Sequence, residues 1–212
     1  MAPTTKAEWR SRLRAARRSM DDAARHLAEA GLASAGVGWA AQLRGTEPPG
    51  TVCAYISSGV EPGTGLLLEA LVHAGHRVFV PACEADHQLS WAEWTPGVKL
   101  ARSALAPVME PVGPRLAFAR LGPVDGILLP ALAADPAGVR LGQGGGYYDR
   151  FLAALAFPGS PADGAGRTVP TAAVVLEREV FPEGTLPHDS LDQPVGWVVT
   201  PGGWSKAGRA AR

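Results

Sequence analysis

Eleven consecutive residues, Arg140-Leu-Gly-Gln-Gly-Gly-Gly-Tyr-Tyr-Asp149-Arg150, combine two guanidinium groups, four glycines, two phenols and a carboxylate. Glycine lets backbone N–H groups approach an anion with no Cβ in the way. The apolar run Val124 to Pro130 precedes this stretch and reads as a buried strand ending at the proline. Phe151, Leu152 and Leu155 follow it at the spacing of one helix face, so a helix is expected over 150–157. A glycine loop therefore joins a strand to a helix start, where free N–H groups and the positive dipole end favour anions. Arg140 adds a full positive charge, and Asp149 adds a carboxylate able to hold a metal. Such a set suits phosphate groups with Mg²⁺. The generic phosphate motifs do not fit. Walker A requires Gly-Lys-Ser/Thr, and the chain has no Gly-Lys pair. The dinucleotide fingerprint requires a third glycine where Tyr147 stands after Gly142 and Gly144. Glycine content alone fits a plain turn as well as a binding loop.

A second group of charges lies near the start of the chain. Residues 5–18 read as a helix with Trp9, Leu13, Ala16 and Met20 on one stripe. Lys6, Arg10, Arg14 and Arg17 occupy the adjoining stripe. That stripe is either a solvated basic face or a set of cations delivered to a polyphosphate. Ser19 and Asp22 read as a variant capping box opening a second helix to about Leu43, which Gly31, Gly36 and Gly38 weaken and could break.

The elements that must position these groups alternate. Thr51 to Ile56 is an apolar, β-branched strand ended by Ser57-Ser-Gly59. Thr64 caps a helix that stops at Gly75, and Arg77 to Val80 is a strand ended by Pro81. Strand–helix–strand of this length is a βαβ unit, hence a parallel sheet with both faces covered. Ligands of such sheets bind beyond the carboxyl ends of the strands, where Ser57, Glu61 and Pro81 fall. Glu61 on its own reads as a surface residue favoured at a helix start. Leu89 to Trp94 is a further strand, in which Trp91 and Trp94 read as core or rim. Lys99 to Pro114 is proline-broken and irregular, and 159–166 is a Pro/Gly/Ser/Ala loop. Thr168 to Leu176 is a strand, Trp197 to Thr200 the last strand, and Trp204 to Arg212 a loose tail.

Composition sets outer bounds. The chain of 212 residues fits one domain spanning 1–212 around one core. Lys plus Arg and Asp plus Glu each number 20, which argues against a nucleic-acid or membrane-surface footprint. Two distant cysteines, Cys53 and Cys83, speak against a disulfide framework or zinc site and for a reducing, cytoplasmic setting. No apolar run is long enough to span a bilayer.

The string at 130–150 resembles the signature of the 5-formyltetrahydrofolate cyclo-ligases, also called methenyltetrahydrofolate synthetases. In that family a Pro-Gly/Ala-Leu-Ala-Phe-Asp segment leads through Gly-x-Arg-Leu-Gly to Gly-x-Gly-Tyr-Tyr-Asp. The chain has Pro130-Ala-Leu-Ala-Ala-Asp135, then Gly138-Val-Arg140-Leu-Gly142-Gln-Gly144-Gly-Gly146-Tyr-Tyr-Asp149, with Ala134 in place of the usual Phe. The resemblance is thinner at 6–17, where Lys6 and Arg10 have the family's Lys-x-x-x-Arg spacing and Arg17 or Arg18 matches a later basic position. It continues at Tyr55-Ile-Ser57 with Glu61, and at Leu186-Pro-His-Asp189.

The resemblance implies a three-layer α/β/α sandwich with a mainly parallel sheet, Rossmann-like and of the kind seen in CoA transferases. It implies conversion of 5-formyltetrahydrofolate and ATP to 5,10-methenyltetrahydrofolate, ADP and phosphate, with Mg²⁺. Lys6 and Arg140 would be catalytic. Lys6, Arg10, Arg140, Gly142, Gln143, Gly144, Gly145, Gly146, Tyr147 and Tyr148 would bind the nucleotide. Ile56, Ser57, Glu61 and the segment Gly144 to Tyr148 would bind the folate, with Glu61 on the pterin. Of Tyr147 and Tyr148, one is expected against ligand and one against the sheet. Asp149 and Asp189 would hold the metal, and Asp135 is either a turn former or a brace for Arg140. The family more often has glutamine near Glu179, where this chain has an acid in place of the amide. The partners expected are these small molecules alone, with no nucleic acid and no membrane, and the chain is expected to act as a monomer. Two alternatives remain open: a relative acting on another substrate, and a non-catalytic regulator that senses ATP or folate or binds RNA through the basic helix.

Overall fold

A computed structural model describes residues 4–156 and 168–208. The expected loop at 159–166 and the last residues of the tail lie outside them. The order is α1 (Lys6–Arg18), α2 (Asp22–Arg44), β1 (Thr51–Cys53), α3 (Gly65–His73), β2 (Arg77–Cys83), β3 (Leu89–Trp94), β4 (Leu100–Arg102), β5 (Met109–Pro111), β6 (Val124–Pro130), β7 (Ala133–Ala134), β8 (Arg140–Leu141), α4 (Tyr147–Ala156), β9 (Thr171–Val174), β10 (Trp197–Thr200) and β11 (Gly203–Lys206).

The main sheet runs β11-β10-β9-β6-β1-β2-β3. Its inner five strands pair in parallel, and antiparallel β3 and β11 close the two edges. Alternation along the strands divides the core between two faces. Leu128 of β6 joins Leu32 and Trp39 of α2 and Leu67, Leu68 and Leu71 of α3 on one face. Its neighbours Ile127 and Leu129 join Phe151 and Leu152 of α4 and Trp91 of β3 on the other. The three-layer expectation holds, and both tryptophans of β3 are core residues.

The chain leaves β1 toward β2 on one side and returns through β6 toward β9 and β10 on the other. The boundary between β1 and β6 is thus a topological switch point, where the loops after two neighbouring strands diverge and leave a crevice. The loop carrying Ser57 and Glu61 follows β1, and the hairpin and glycine loop follow β6.

Several local expectations are corrected. The second helix is capped by Asp21, whose carboxylate accepts from Ala24 N at 2.7 Å, while Ser19 caps the end of α1. Its glycines do not break it. They let neighbours come close: a Cβ on Gly31 would lie 2.7 Å from the Pro201 carbonyl oxygen, and one on Gly38 would lie 2.5 Å from the Trp204 ring. We therefore expect Gly31→Ala to cost about 1–3 kcal/mol in urea unfolding, because backbone cannot retreat as a side chain can; a gain from better helix propensity would contradict this packing role.

Pro81 does not end β2, which runs on to Cys83 where β1 no longer flanks it; a strand with one neighbour tolerates the missing N–H. The irregular stretch 99–114 contains the hairpin β4–β5, and the tail contributes β11. The strand expected from 51 to 56 is ordered as strand only to Cys53, and that expected over 168–176 is confined to Thr171–Val174. The helix after the glycine loop begins at Tyr147, which places Asp149 in its first turn.

Candidate active site

α1 is seated before it can present any charge. Thr5 and Glu8 form a reciprocal capping box at its start. Trp9 and Leu13 bury against Leu132, Ala133 and Leu141 of the β7–β8 hairpin, and Trp9 meets Phe181 edge-on. With that stripe fixed, the adjoining one lies over the glycine loop. Arg10 Nε donates to the Gly142 carbonyl at 2.9 Å. Arg14 Nη2 donates to the Gln143 carbonyl at 2.8 Å and to Gln143 Oε1 at 3.0 Å. The basic stripe and the glycine loop, 129 and more positions apart in sequence, are in contact.

Arg17 does not join them. Its side chain is fully buried, donates to both carboxylate oxygens of Glu179 at 2.8 and 2.7 Å, and donates to the Ala131 carbonyl at 2.6 Å. The acid at 179, where an amide was expected, supplies the charge that a buried guanidinium requires.

The loop needs its glycines. Gly144 and Gly146 have φ of +99° and +72°, a region costly for other residues. A Cβ on Gly142 would stand 2.8 Å from Arg140 Nη1, because that guanidinium lies under the loop. Arg140 is buried, and its Nη2 is 2.5 Å from Asp149 Oδ1. It is therefore a charge held beneath the loop by Asp149, rather than an open cation. Asp135 takes the turn role: its Oδ1 accepts from Val139 N at 2.9 Å within the β7–β8 hairpin.

Lys6 Nζ reaches across the chain to Asp189 Oδ2 at 2.7 Å and to Asp192. Burial works to lower the Lys6 pKa, but these hydrogen bonds outweigh it and hold the ammonium above its usual value. The Lys6 bond, aided by the Leu191 N–H, pulls the Asp189 carboxyl below the usual range. One position beyond Asp192, Gln193 N donates to Asp149 Oδ1 at 3.4 Å. The segment 189–193 thus joins both metal candidates.

The β1 loop faces them. Ser57 is engaged within its own loop: its Oγ accepts from Thr64 N at 3.1 Å and its N–H donates to Thr64 Oγ1 at 2.9 Å. Ile56 packs against the core. Glu61 turns inward, accepting from Ser58 N at 2.7 Å on one oxygen and from Gln143 Nε2 at 3.1 Å on the other. Burial raises its pKa, against the lowering effect of those two bonds. It lines a cavity of about 280 Å³ with Arg17, Arg25, His26, Glu29 and Leu176. Of the two tyrosines, Tyr148 packs against the core with its hydroxyl buried, and Tyr147 meets His87 edge-on at the surface. His87 and its neighbour Asp86 both have positive φ. Glu110 is a brace, accepting from Cys83 N and Arg115.

The donor set fits Mg²⁺. Asp149, Asp189 and Asp192 offer only hard oxygens, and Asp189 is more than half exposed. No group of three acid, His or Cys side chains is poised as a full metal cage among the described residues. Mg²⁺ commonly takes one or two carboxylates and fills its remaining positions with water and substrate phosphates. Sequence reasoning did not single out Arg14 and Asp192. Arg14 stood in the basic stripe without a role, and the Asp-x-x-Asp spacing of 189 and 192 was the available signal for the other.

An open α/β sheet with a cation-pinned glycine loop at its switch point defines the class, an α/β fold of the kind in which ligands bind beyond the strand ends. A family model described as the 5-formyltetrahydrofolate cyclo-ligase family matches residues 2–201, and the chain belongs to that family. A 5-formyltetrahydrofolate cyclo-ligase of Mycolicibacterium smegmatis is 37% identical over 207 residues, 95% of this chain and 96% of its own. One from Escherichia coli K12 is 34% identical over 104 residues, 48% of this chain and 57% of its own. The fold is shared with a 5,10-methenyltetrahydrofolate synthetase of Aquifex aeolicus, with TM-score 0.68, 24% identity and coverage of 99% of this chain and 95% of that one. A Mycoplasma pneumoniae 5,10-methenyltetrahydrofolate synthetase gives 0.67 at 15% identity, covering 93% of this chain and 99% of the other. Among the described residues no helix is long and apolar enough to cross a membrane.

Proposed function

We propose that this chain converts 5-formyltetrahydrofolate and ATP to 5,10-methenyltetrahydrofolate, ADP and phosphate. The observation that carries this reading is the pinning of Gly142 and Gln143 by Arg10 and Arg14, which gathers cations, glycine loop and acids at one crevice. The γ-phosphoryl group passes from ATP to the formyl oxygen, breaking the bond to ADP. N10 of the folate then attacks the activated carbon and gives up its proton, and the oxygen leaves with phosphate. Such a transfer asks for positioning and charge neutralisation more than for covalent help.

Lys6, Arg10 and the N–H groups of Gly144 to Gly146 hold phosphate oxygens in this reading. Arg140 adds positive potential from beneath, and Glu61 accepts hydrogen bonds from the pterin amino and ring N–H groups. Asp149 and Asp189 would hold Mg²⁺, which neutralises developing phosphate charge. The substrates are small molecules, and the charge balance supports neither a nucleic-acid nor a membrane-surface partner. Action as a monomer in the cytoplasm belongs to the same reading.

The test is product formation by the purified chain with and without ATP and Mg²⁺, followed as methenyltetrahydrofolate absorbance. Product that requires both is expected; none would point to a relative with another substrate or to a regulator. The KM for folate should also rise as pH falls. Because burial lifts the Glu61 pKa above that of an ordinary glutamate, its accepting form is lost at a higher pH than usual. A KM flat down to the range where surface glutamates protonate would remove Glu61 from the folate site.

A further inference from the structure

Gln143 occupies the position between the second and third family glycines, where backbone donors alone would cradle phosphate. Its side chain is not directed to solvent. The amide oxygen accepts from Arg14 Nε at 3.2 Å and Nη2 at 3.0 Å, and the amide nitrogen donates to Glu61 Oε1 at 3.1 Å. The orientation is dictated by chemistry, since a guanidinium can only donate and an ionised carboxylate can only accept. An amide meets both demands with a single side chain, its oxygen accepting and its nitrogen donating. A glutamate would repel Glu61, a lysine could not accept from Arg14, and an aliphatic residue would satisfy neither.

We propose that Gln143 is a positioning residue that, clamped by Arg14, sets the Glu61 carboxylate for the folate ring and ties occupancy of the phosphate loop to folate affinity. The inference rests on the functional reading above. Its physical basis is the shared residue: the Gln143 carbonyl is pinned to α1 while its side chain reaches the β1 loop. A phosphate that orders the backbone at 142–146 therefore orders the amide that Glu61 leans on. That differential contact is the requirement for coupling between two ligands.

The test is equilibrium binding of 5-formyltetrahydrofolate, with and without a non-hydrolysable ATP analogue and Mg²⁺, to the wild-type chain and to Gln143→Leu. In the wild type the analogue should tighten folate binding at least about fivefold. In Gln143→Leu, folate affinity alone should fall about tenfold, analogue affinity alone should fall by clearly less than that, and the coupling should shrink toward unity. The acid limb of folate binding should move to higher pH, since a hydrogen bond that favours the Glu61 carboxylate is gone. The other groups that face Glu61 are Arg17, Tyr55 and Tyr148, with Arg25, His26 and Glu29 around the cavity; all are unchanged in the variant, so the shift isolates the amide. Arg14→Ala combined with Gln143→Leu should cost folate affinity little more than Gln143→Leu alone.

Equal loss of both ligands in Gln143→Leu would indicate a general structural role and overturn the inference, as would a retained coupling or an unmoved acid limb. A wild-type chain without ATP-dependent turnover would instead overturn the functional reading itself, so the two failures are distinguishable.

Discussion

Lys6→Ala is expected to lower kcat/KM about 10²–10³-fold, the loss seen when one preorganised donor to developing charge is removed. Lys6 sits at the rim of the crevice, and its present partners, Asp189 and Asp192, lie on a different segment from the glycine loop. No core packing depends on it, so the unfolding midpoint should move no more than for an ordinary surface substitution. Lys6→Arg should restore only part of the rate, because a planar fork cannot place a point charge in the same spot. Arg140→Ala should lose turnover to a similar degree but lose stability too, since it leaves Asp149 without its buried partner. Wild-type rates in both purified variants would withdraw the phosphate roles from these two residues.

The largest stability effect is expected at the Arg17–Glu179 pair. Both side chains are almost completely excluded from solvent. Arg17→Met would strand the Glu179 carboxylate in the interior with the Leu176 N–H as its remaining donor among the described residues. Breaking one side of such a pair typically costs about 3–5 kcal/mol, whereas replacing both with apolar residues is often close to neutral. We therefore expect Arg17→Met to unfold at much lower urea concentration, and Arg17→Met with Glu179→Leu to recover most of the loss. A single variant within about 1 kcal/mol of wild type would show that water relieves the buried charge. Activity should follow, because Arg17 anchors the far end of the helix that carries Lys6, Arg10 and Arg14.

The sequence was most legible where one residue type has one physical use. The apolar run at 124–130 read as a covered strand and is one, and the glycines at 142–146 marked a loop, two of whose residues, Gly144 and Gly146, have positive φ. The periodicity of Trp9 and Leu13 placed α1 and separated its apolar stripe from the basic one. What stayed hidden depended on partners distant in sequence. Nothing local separates Arg17, buried against Glu179, from Arg14, which grips Gln143 one turn earlier. Asp192 acquires its meaning from Lys6. Short elements were misjudged for a related reason: β4, β5 and β11 are three or four residues long, and their neighbours in the sheet specify them more than their own side chains do. Glycines in α2 read as helix weakeners because propensity is local, while the close approach of Pro201 and Trp204 is tertiary.

The contact between Lys6 and Asp189 spans 183 positions. Chains emerge from the ribosome N-terminus first, and closing so long a segment costs entropy before any contact repays it. The cationic helix is thus translated long before the acids that steady its lysine. Catalytic competence should arrive as one of the last events of biogenesis, and a nascent polypeptide halted short of residue 189, which also lacks β10 and β11, is expected to carry the glycine loop yet be inert.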